Sequence, residues 1–173
     1  MKISRIFPIL LAGAIIVLPS CLGNSDEKND YSHWRELNSQ YYDSIATAME
    51  NGTLLYTPIT PTWDPSFTVL MRWHNNREEN SSHITPLSNS TCIVKYTLTN
   101  IAGDTLDSSA SFTCIPNQMV TGFMAAIMNM QVHDTVTAVI PYTAGYGTYG
   151  YGSVLPYSTL TFGIRLDSIV KLM

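Results

Sequence analysis

The sequence predicts an α+β fold, in which an antiparallel sheet packs against one short helix and a further helix lies near the N-terminus. Apolar residues follow a helical spacing in residues 32–50 and again in residues 120–130. From Phe67 onward most segments alternate apolar and polar residues with a period of two, which is typical of strands with one buried face. A single helix that covers one face of an antiparallel sheet buries the apolar surface of both.

Composition limits the class of protein. The chain has 173 residues, 45% of them hydrophobic and 13% charged, which suits one domain of ordinary size with a packed core. The net charge is -4 and the 9 Lys and Arg residues form no patch in sequence, which argues against nucleic acid as a partner. The four His residues are scattered without a metal-ligand spacing, so we expect neither a metal nor a cofactor.

The N-terminus predicts a targeting segment. Lys2 and Arg5 precede an apolar run at residues 6–18, which is the arrangement of a signal peptide and too short for a spanning helix. The run ends in LPSC, which resembles a bacterial lipobox and implies cleavage before Cys21 and a lipid on its thiol. The alternative is an ordinary signal peptide with a coincidental Cys. With residues 1–21 as signal peptide and lipobox, the protein is expected in the bacterial cell envelope, anchored to a membrane on the periplasmic or cell-surface face of the outer membrane.

The next segments lead to the main domain. Residues 22–31 are polar and acidic and predict a flexible tether; the acidic run also looks like those that send some lipoproteins to the cell surface. Residues 32–65 predict an amphipathic helix and a Pro-rich connector. The apolar face of this helix consists of Trp34, Leu37, Tyr41, Ile45 and Met49.

This N-terminal helix is expected to end at Asn51-Gly52, a common stop signal. Pro58, Pro61 and Pro65 then predict an extended connector, because repeated prolines break both helix and sheet. We expect the helix to fold back on the domain, and a homodimer formed through it is the alternative.

Five strands are expected in residues 66–173. They fall at 67–73, 92–99, 105–115, 134–141 and 158–172. Cys92 and Cys114 lie at similar distances from the turn at 100–104, so simple pairing of the second and third strands could bring them together. They could then form a disulfide in an oxidising compartment, and the alternative is that both are small core residues.

A Gly- and Tyr-rich stretch, YTAGYGTYGYGSVLPYSTL, occupies residues 142–160. By letter it contains Gly-x-Gly-x-x-Gly, but the phosphate-binding fingerprint needs a helix after the glycines and here a strand follows. Strong alternation on both sides also argues against disorder. The stretch is therefore predicted to be a structured connector, in which glycines supply positive φ angles and tyrosines supply ring faces and hydroxyls.

Five motifs follow one another in the second half of the chain. They are VKYTL, AGDTLDSS, NQMVTGFMAAIMNMQVHD, VIPYTAGYG and SVLPYSTLTFGIRL. Their order and spacing resemble the FKBP-type peptidyl-prolyl cis-trans isomerases, over residues 66–172. The resemblance implies a divergent member of that family in a bacterial lipoprotein, with an FKBP-like antiparallel sheet wrapped on one short helix. It also implies a loop at 144–156 that overhangs the isomerase pocket, and proline-containing polypeptides as partners.

The resemblance implies a prolyl-binding pocket with apolar walls and a few hydrogen-bonding groups. The implied catalytic residues are Tyr96, Asp107, Phe112, Val120, Phe123, Tyr146 and Phe162, and the implied substrate-binding residues are Leu106, Met119 and Val154. Asp107 would lie near the reacting carbonyl, the Val120 N–H would donate to a substrate carbonyl, and the Tyr146 hydroxyl would donate to the ligand. Rotation about an X-Pro bond needs no proton transfer, which fits the absence of an acid–base pair from the sequence.

The chain also departs from the family pattern. Leu106 stands where the family usually has an aromatic wall, His133 replaces a turn glycine, and Leu155 replaces the second proline of an I-P-P motif. Two functions are therefore open: a lipid-anchored prolyl isomerase that assists folding outside the cytoplasm, or a weak or inactive FKBP-like peptide- or protein-binding module. A third, unrelated surface lipoprotein function is less consistent with the motifs.

Overall fold

The computed structural model describes residues 30–80 and 82–171, and within them the α+β prediction is confirmed. The helices are α1 (Ser32–Ala46) and α2 (Thr121–Met128). The strands are β1 (Met49–Glu50), β2 (Thr53–Leu54), β3 (Thr57–Ile59), β4 (Val69–Trp73), β5 (Thr91–Thr99), β6 (Thr105–Cys114), β7 (Thr135–Ile140) and β8 (Leu160–Lys171). Neither of these two helices has the length and apolar content needed to cross a membrane.

The main sheet has six strands in the order β3-β4-β7-β8-β5-β6, and every neighbouring pair is antiparallel. The alternation expected for the last strand is present, because Leu160, Phe162, Ile164 and Leu166 are all buried. On α2, Phe123 and Ile127 are buried against this face together with Met130 just beyond the helix. The main core therefore lies between α2 and one face of the sheet.

Gly122 lets α2 approach the sheet closely. A Cβ at this position would collide with Ile140 Cγ2 and would lie 3.1 Å from the backbone oxygen of Ala144. A side chain here would therefore push α2 away from β7 and from the segment that follows it.

α1 covers the opposite face of the sheet. Leu70 and Val139 point away from the main core, because their neighbours Val69 and Ala138 point into it, and yet both are buried. Leu70 and Val139 are partners across β4 and β7, and α1 contacts β7. The N-terminal helix therefore folds back on its own domain, as expected.

The face that α1 uses agrees only in part with the predicted one, of which Trp34, Tyr41 and Ile45 are half-buried. Leu37 and Met49 are 38% and 68% exposed, whereas Asn38 is fully buried. Asn38 Oδ1 accepts a 2.7 Å hydrogen bond from Thr159 N, and the Tyr42 hydroxyl donates to Thr68 O at 2.7 Å. Polar contacts to the domain therefore set the orientation of α1. The spacing of apolar residues in the sequence does not reveal such contacts.

The connector after α1 corrects two predictions. The helix ends at Ala46, and Asn51-Gly52 forms the turn of the β1–β2 hairpin with φ angles of 51° and 79°. Two positive φ angles in a two-residue turn match the twist of a hairpin. Pro58 lies in β3, so the prolines do not exclude a strand: β3 is an edge strand, where a missing N–H costs no ladder bond.

Cys92 and Cys114 are direct partners across β5 and β6, so the prediction that they come together is confirmed. Both are buried, and the structure holds them as free thiols. The irregularity expected in this strand pair is present as shifts of register between Val94 and Tyr96 and between Leu98 and Thr99. The disulfide itself stays a prediction.

Candidate functional site

A cavity of about 340 Å³ opens between the β5–β6 pair, the start of α2 and the Gly- and Tyr-rich connector. Its volume falls in the usual range for small-ligand sites. The connector at residues 142–159 is called the pocket loop below. The lining residues are Tyr96, Leu98, Asp107, Phe112, Met119, Val120, Phe123, Tyr146, Tyr151 and Phe162.

Four aromatic rings form the floor of this cavity. The Phe123 and Phe162 ring centroids lie 5.1 Å apart in an edge-to-face arrangement, and Tyr96 contacts both at 6.4 and 6.2 Å. Phe112 meets Tyr96 at 5.4 Å. Such edge-to-face pairs are favourable beyond their buried area, and they leave an apolar surface on which a small ring can rest.

The strand register explains how the floor is assembled. Phe162 on β8 lies opposite Leu98 on β5 and opposite Ala138 on β7. The small side chain of Ala138 leaves space above the sheet, and Phe123 from α2 contacts Phe162 on this face. One helix, α2, and three strands, β5, β6 and β8, thus bring together four rings that are far apart in sequence.

A hydrogen-bonded polar pair lies at the rim. The Tyr96 hydroxyl donates to Asp107 Oδ2 at 2.6 Å, and Asp107 Oδ1 accepts from Ser108 N at 2.8 Å. Burial, followed by the bond to Asp107 and its charge, raises the pKa of Tyr96 to about 12. At neutral pH this pair offers a protonated hydroxyl that is hydrogen-bonded to a side-chain carboxyl group.

The pocket loop supplies the remaining wall. The Tyr146 and Tyr151 rings stack with centroids 5.4 Å apart and planes at 14°. Tyr151 and Val154 exchange two backbone hydrogen bonds of 2.9 Å, and Gly150 permits this turn with φ +69°. Burial, with smaller effects from Asp107 and Tyr151, raises the pKa of Tyr146, so its hydroxyl remains a hydrogen-bond donor at neutral pH.

An adjoining cavity of about 190 Å³ lies behind this wall. Leu106 and Val154 line it, and both were expected in the main pocket. Leu98, Asp107, Tyr146 and Tyr151 border both cavities, so the two cavities adjoin along these residues. All the other predicted pocket residues line the main cavity.

Two lining residues were missed by sequence reasoning. Leu98 follows Tyr96 by two positions on β5, so strand alternation places both on one face and could have indicated it. Tyr151 lies in an irregular loop with several tyrosines, where no spacing rule distinguishes it from its neighbours.

A larger groove of about 600 Å³ lies between the start of α1 and the pocket loop. Its lining includes Asp30, Arg35 and Thr148, and it lacks the aromatic floor of the smaller cavity. Among residues 30–80 and 82–171, no three His, Cys, Asp or Glu side chains are grouped so as to hold a metal ion. We therefore take the smaller, aromatic cavity as the candidate site.

The fold is an antiparallel sheet that wraps around a short helix. Its candidate site is a cavity with aromatic walls and hydroxyl groups that can donate hydrogen bonds. The family model for FKBP-type peptidyl-prolyl cis-trans isomerase matches residues 83–167. Residues 83–167 are therefore a divergent FKBP-type domain.

Known proteins of this kind are similar to the chain in sequence or in fold. The macrophage infectivity potentiator of Trypanosoma cruzi is 35% identical over 89 residues, which are 49% of this chain and 45% of that protein. The chain thus spans about half the length of this curated relative. A peptidyl-prolyl cis-trans isomerase from Pseudomonas syringae pv. tomato superposes with a TM-score of 0.67 at 17% identity, covering 82% of this chain and 96% of that one. FkpA from Escherichia coli gives a TM-score of 0.65 at 21% identity, covering 81% of this chain and 61% of that one.

Proposed function

We propose that this protein is a peptidyl-prolyl cis-trans isomerase that is lipid-anchored in the cell envelope and assists protein folding outside the cytoplasm. The observation that carries the proposal is the floor of edge-to-face aromatic rings, bordered by the hydroxyls of Tyr96 and Tyr146. Family membership supports the reaction class, and the substrate class is polypeptides that contain proline.

The reaction requires a site that prefers a twisted amide to a planar one. Resonance in the X-Pro amide sets a barrier of about 18–20 kcal/mol, and a million-fold acceleration requires lowering it by roughly 8 kcal/mol. A twisted amide has lost resonance and is less polar, so a dry apolar cavity stabilises it relative to the planar form. In this proposal the prolyl ring rests on Phe123 and Phe162, at the deepest part of the floor.

Hydrogen-bond donors at the rim would hold the peptide on either side of the rotating bond. Val120 immediately precedes α2, and the first N–H groups of a helix have no acceptor within that helix. Its N–H can therefore donate to a substrate carbonyl. The Tyr146 hydroxyl, neutral because burial raises its pKa, is the second donor, and Asp107 keeps Tyr96 fixed between them.

Leu106 favours a second candidate, a peptide- or protein-binding module without strong catalysis. It lines the adjoining 190 Å³ cavity where an aromatic wall is usual in the family. A pocket open on that side binds an apolar side chain but restrains the twisted amide less tightly. Both candidate functions predict that the protein binds proline-containing peptides, but only the isomerase predicts that it accelerates their cis-trans isomerisation.

The envelope location rests on the sequence alone, because Cys21 and the tether up to residue 29 lie outside the described residues. We propose that the lipid on Cys21 anchors the chain and that the tether places the domain near the membrane. Incorporation of a radiolabelled fatty acid into the full chain, and its loss in Cys21→Ala, would support the anchor. Labelling that persists in Cys21→Ala would contradict it.

The isomerase proposal is tested by a protease-coupled assay on X-Pro tetrapeptides, using residues 22–173. Tyr146→Phe removes only a hydroxyl, and the loss of one hydrogen bond of about 1 kcal/mol predicts a fall in kcat/KM of roughly five-fold. Tyr149→Phe is the matched control, because Tyr149 lies in the same loop and is 92% exposed. A folded wild-type protein without catalysis would replace the isomerase by the binding module.

Dimerisation is tested on the same sample by light scattering. Trp34 and Tyr41 make hydrogen bonds within the chain, to Ser158 and Thr161. A homodimer through α1 would therefore have to use Leu37, which is partly exposed. A dimeric mass that Leu37→Glu converts to a monomeric mass would support that interface, and a monomeric wild type would exclude it.

A further inference from the structure

We propose that α1 holds the pocket loop in its observed conformation, a role called the splint below. We also propose that Arg35, on α1, is a positioning residue for Tyr146. This inference rests on the proposed function for its effect on catalysis, but its structural part does not. Arg35 does not line the aromatic cavity. Any effect of Arg35 on the reaction must therefore pass through the loop.

Arg35 clamps the two ends of the pocket loop together. Its guanidinium carbon lies 5.7 Å from the ring centroid of Tyr142 and 5.2 Å from that of Tyr157. The two rings meet edge to face at 5.4 Å, and Arg35 also donates to the Tyr142 hydroxyl at 3.3 Å. A cation over two aromatic faces holds both rings, which lie near the two ends of the loop.

Backbone hydrogen bonds connect this clamp to the pocket. Gly147 N donates to Tyr142 O, and Tyr157 N donates to Gly147 O, both at 2.9 Å. Gly147 directly follows Tyr146, so the residue next to the pocket tyrosine is bonded to both clamped residues. A shift of either ring would move the peptide unit from which Tyr146 projects.

The backbone at Tyr157 adds a reason for the clamp. Tyr157 has a φ of +60°, a left-handed conformation that is uncommon for a residue with a bulky side chain. Such a conformation persists only where surrounding contacts hold it. The Arg35 contact and the bond to Gly147 are contacts of this kind.

Further contacts fix α1 against the end of the loop. Trp34 Nε1 donates to Ser158 Oγ at 3.1 Å, and Ser158 Oγ donates to Leu155 O at 2.7 Å. Asn38 is fully buried and accepts from Thr159 through both its side-chain and its backbone oxygen. Burying a side-chain amide is unfavourable unless its hydrogen bonds are made, so these bonds fix α1 in one position on the domain.

The test compares Arg35→Gln with Arg35→Lys in residues 22–173. Arg35→Gln removes the cation, and we expect faster hydrogen exchange in peptides from residues 142–159 and a fall in kcat/KM of about three- to ten-fold. Arg35→Lys keeps a positive charge and should recover part of both effects. Arg72→Gln is the matched control, since Arg72 pairs with Glu50 at 3.8 Å and lies outside the cavity and the loop.

Hydrogen exchange separates the two ways of failing. If wild type is inactive but Arg35→Gln accelerates exchange in the loop, the splint stands and the isomerase proposal fails. If wild type is active and Arg35→Gln changes neither exchange nor kcat/KM, the splint is overturned. Faster exchange with unchanged kcat/KM would overturn the positioning role. Should Arg35→Gln unfold the chain, Tyr142→Phe, which loses only the 3.3 Å bond, is expected to show a smaller change in the same direction.

Discussion

The floor and the loop wall of the cavity are built in different ways. Phe123 and Phe162 are 1% and 5% exposed and belong to the main core, so the floor is also part of what stabilises the fold. Tyr151 on the wall is 72% exposed, and its loop is held by backbone bonds and by contacts from α1. Substitutions in the floor should therefore lower both stability and activity, whereas substitutions in the loop wall should change activity with little effect on stability.

Truncation of the floor is expected to have the largest effect. Phe123→Ala removes a buried ring that contacts both Tyr96 and Phe162, and such substitutions cost about 3–5 kcal/mol of folding free energy. Tyr151→Ala should stay within about 0.5 kcal/mol of wild type, because the residue is mostly exposed. Urea unfolding measures the free energy of unfolding of both variants. An equal loss in Tyr151→Ala and Phe123→Ala would contradict the distinction between floor and wall.

A disulfide between Cys92 and Cys114 would strengthen the strands that carry the floor. Paired positions on antiparallel strands have Cα atoms about 4.5–5.5 Å apart, which a disulfide spans. Closing a loop of this size is worth about 3 kcal/mol in the chain-entropy treatment. Refolding of residues 22–173, which contain only these two cysteines, with glutathione disulfide should therefore raise the Tm and leave no free thiol in denaturant.

Oxidation of the folded chain should be slow in comparison. Burial raises the pKa of Cys92 to about 11, and burial together with the charge of Cys92 raises that of Cys114 to about 12. The attacking thiolate is therefore scarce at neutral pH. The Cys92→Ser variant is the control, and two thiols that remain after oxidative refolding would rule the bond out.

Gly122 joins the floor to the loop wall, and its substitution should have an intermediate effect. An added Cβ meets Ile140 and the Ala144 oxygen, so Gly122→Ala should cost about 1–3 kcal/mol through overpacking. Gly163→Ala is the control on β8, where a Cβ has open space and φ is not positive. It should be neutral or stabilising by up to about 1 kcal/mol. Equal losses in the two variants would contradict the role of close packing at Gly122.

Most of the floor was predictable because its residues lie in strongly periodic elements. Phe162 belongs to an alternating run on β8, and Phe123 belongs to the short helical run of α2. A period places such residues on the core face before any tertiary contact is known. The family resemblance then indicated which of these core residues line a cavity.

The connector and the wall were less predictable because distant contacts decide them. Asn51-Gly52 is a local signal that fits both a helix end and a hairpin turn, and pairing of β1 with β2 selects the turn. Arg35 and Tyr142 are 107 residues apart in sequence, and no spacing pattern links them. Leu106 was placed in the main pocket by analogy, but it lines the adjoining cavity, whose other wall comes from a loop without a period.

The smallest expected effect concerns the polar pair at the rim. In Asp107→Asn the Tyr96 hydroxyl loses a charged neighbour and a carboxylate acceptor, so the pKa of Tyr96 should fall below about 12. It should remain above the ordinary value of about 10, because burial is the largest cause of the shift. The difference between the alkaline absorbance titrations of each protein and its Tyr96→Phe counterpart measures this pKa.

The same shift sets a direction for stability at high pH. A tyrosine whose pKa is raised in the folded state stabilises the fold fully below about pH 10, and this contribution is lost as the pH rises towards about 12. In Asp107→Asn the pKa of Tyr96 in the folded state is lower, so less of this stability is lost as the pH rises. The urea midpoint of Asp107→Asn should therefore decline less than that of wild type between pH 10 and pH 12. An unchanged Tyr96 titration in Asp107→Asn would mean that the carboxylate does not control the rim hydroxyl, and burial by the floor alone would then account for the shift.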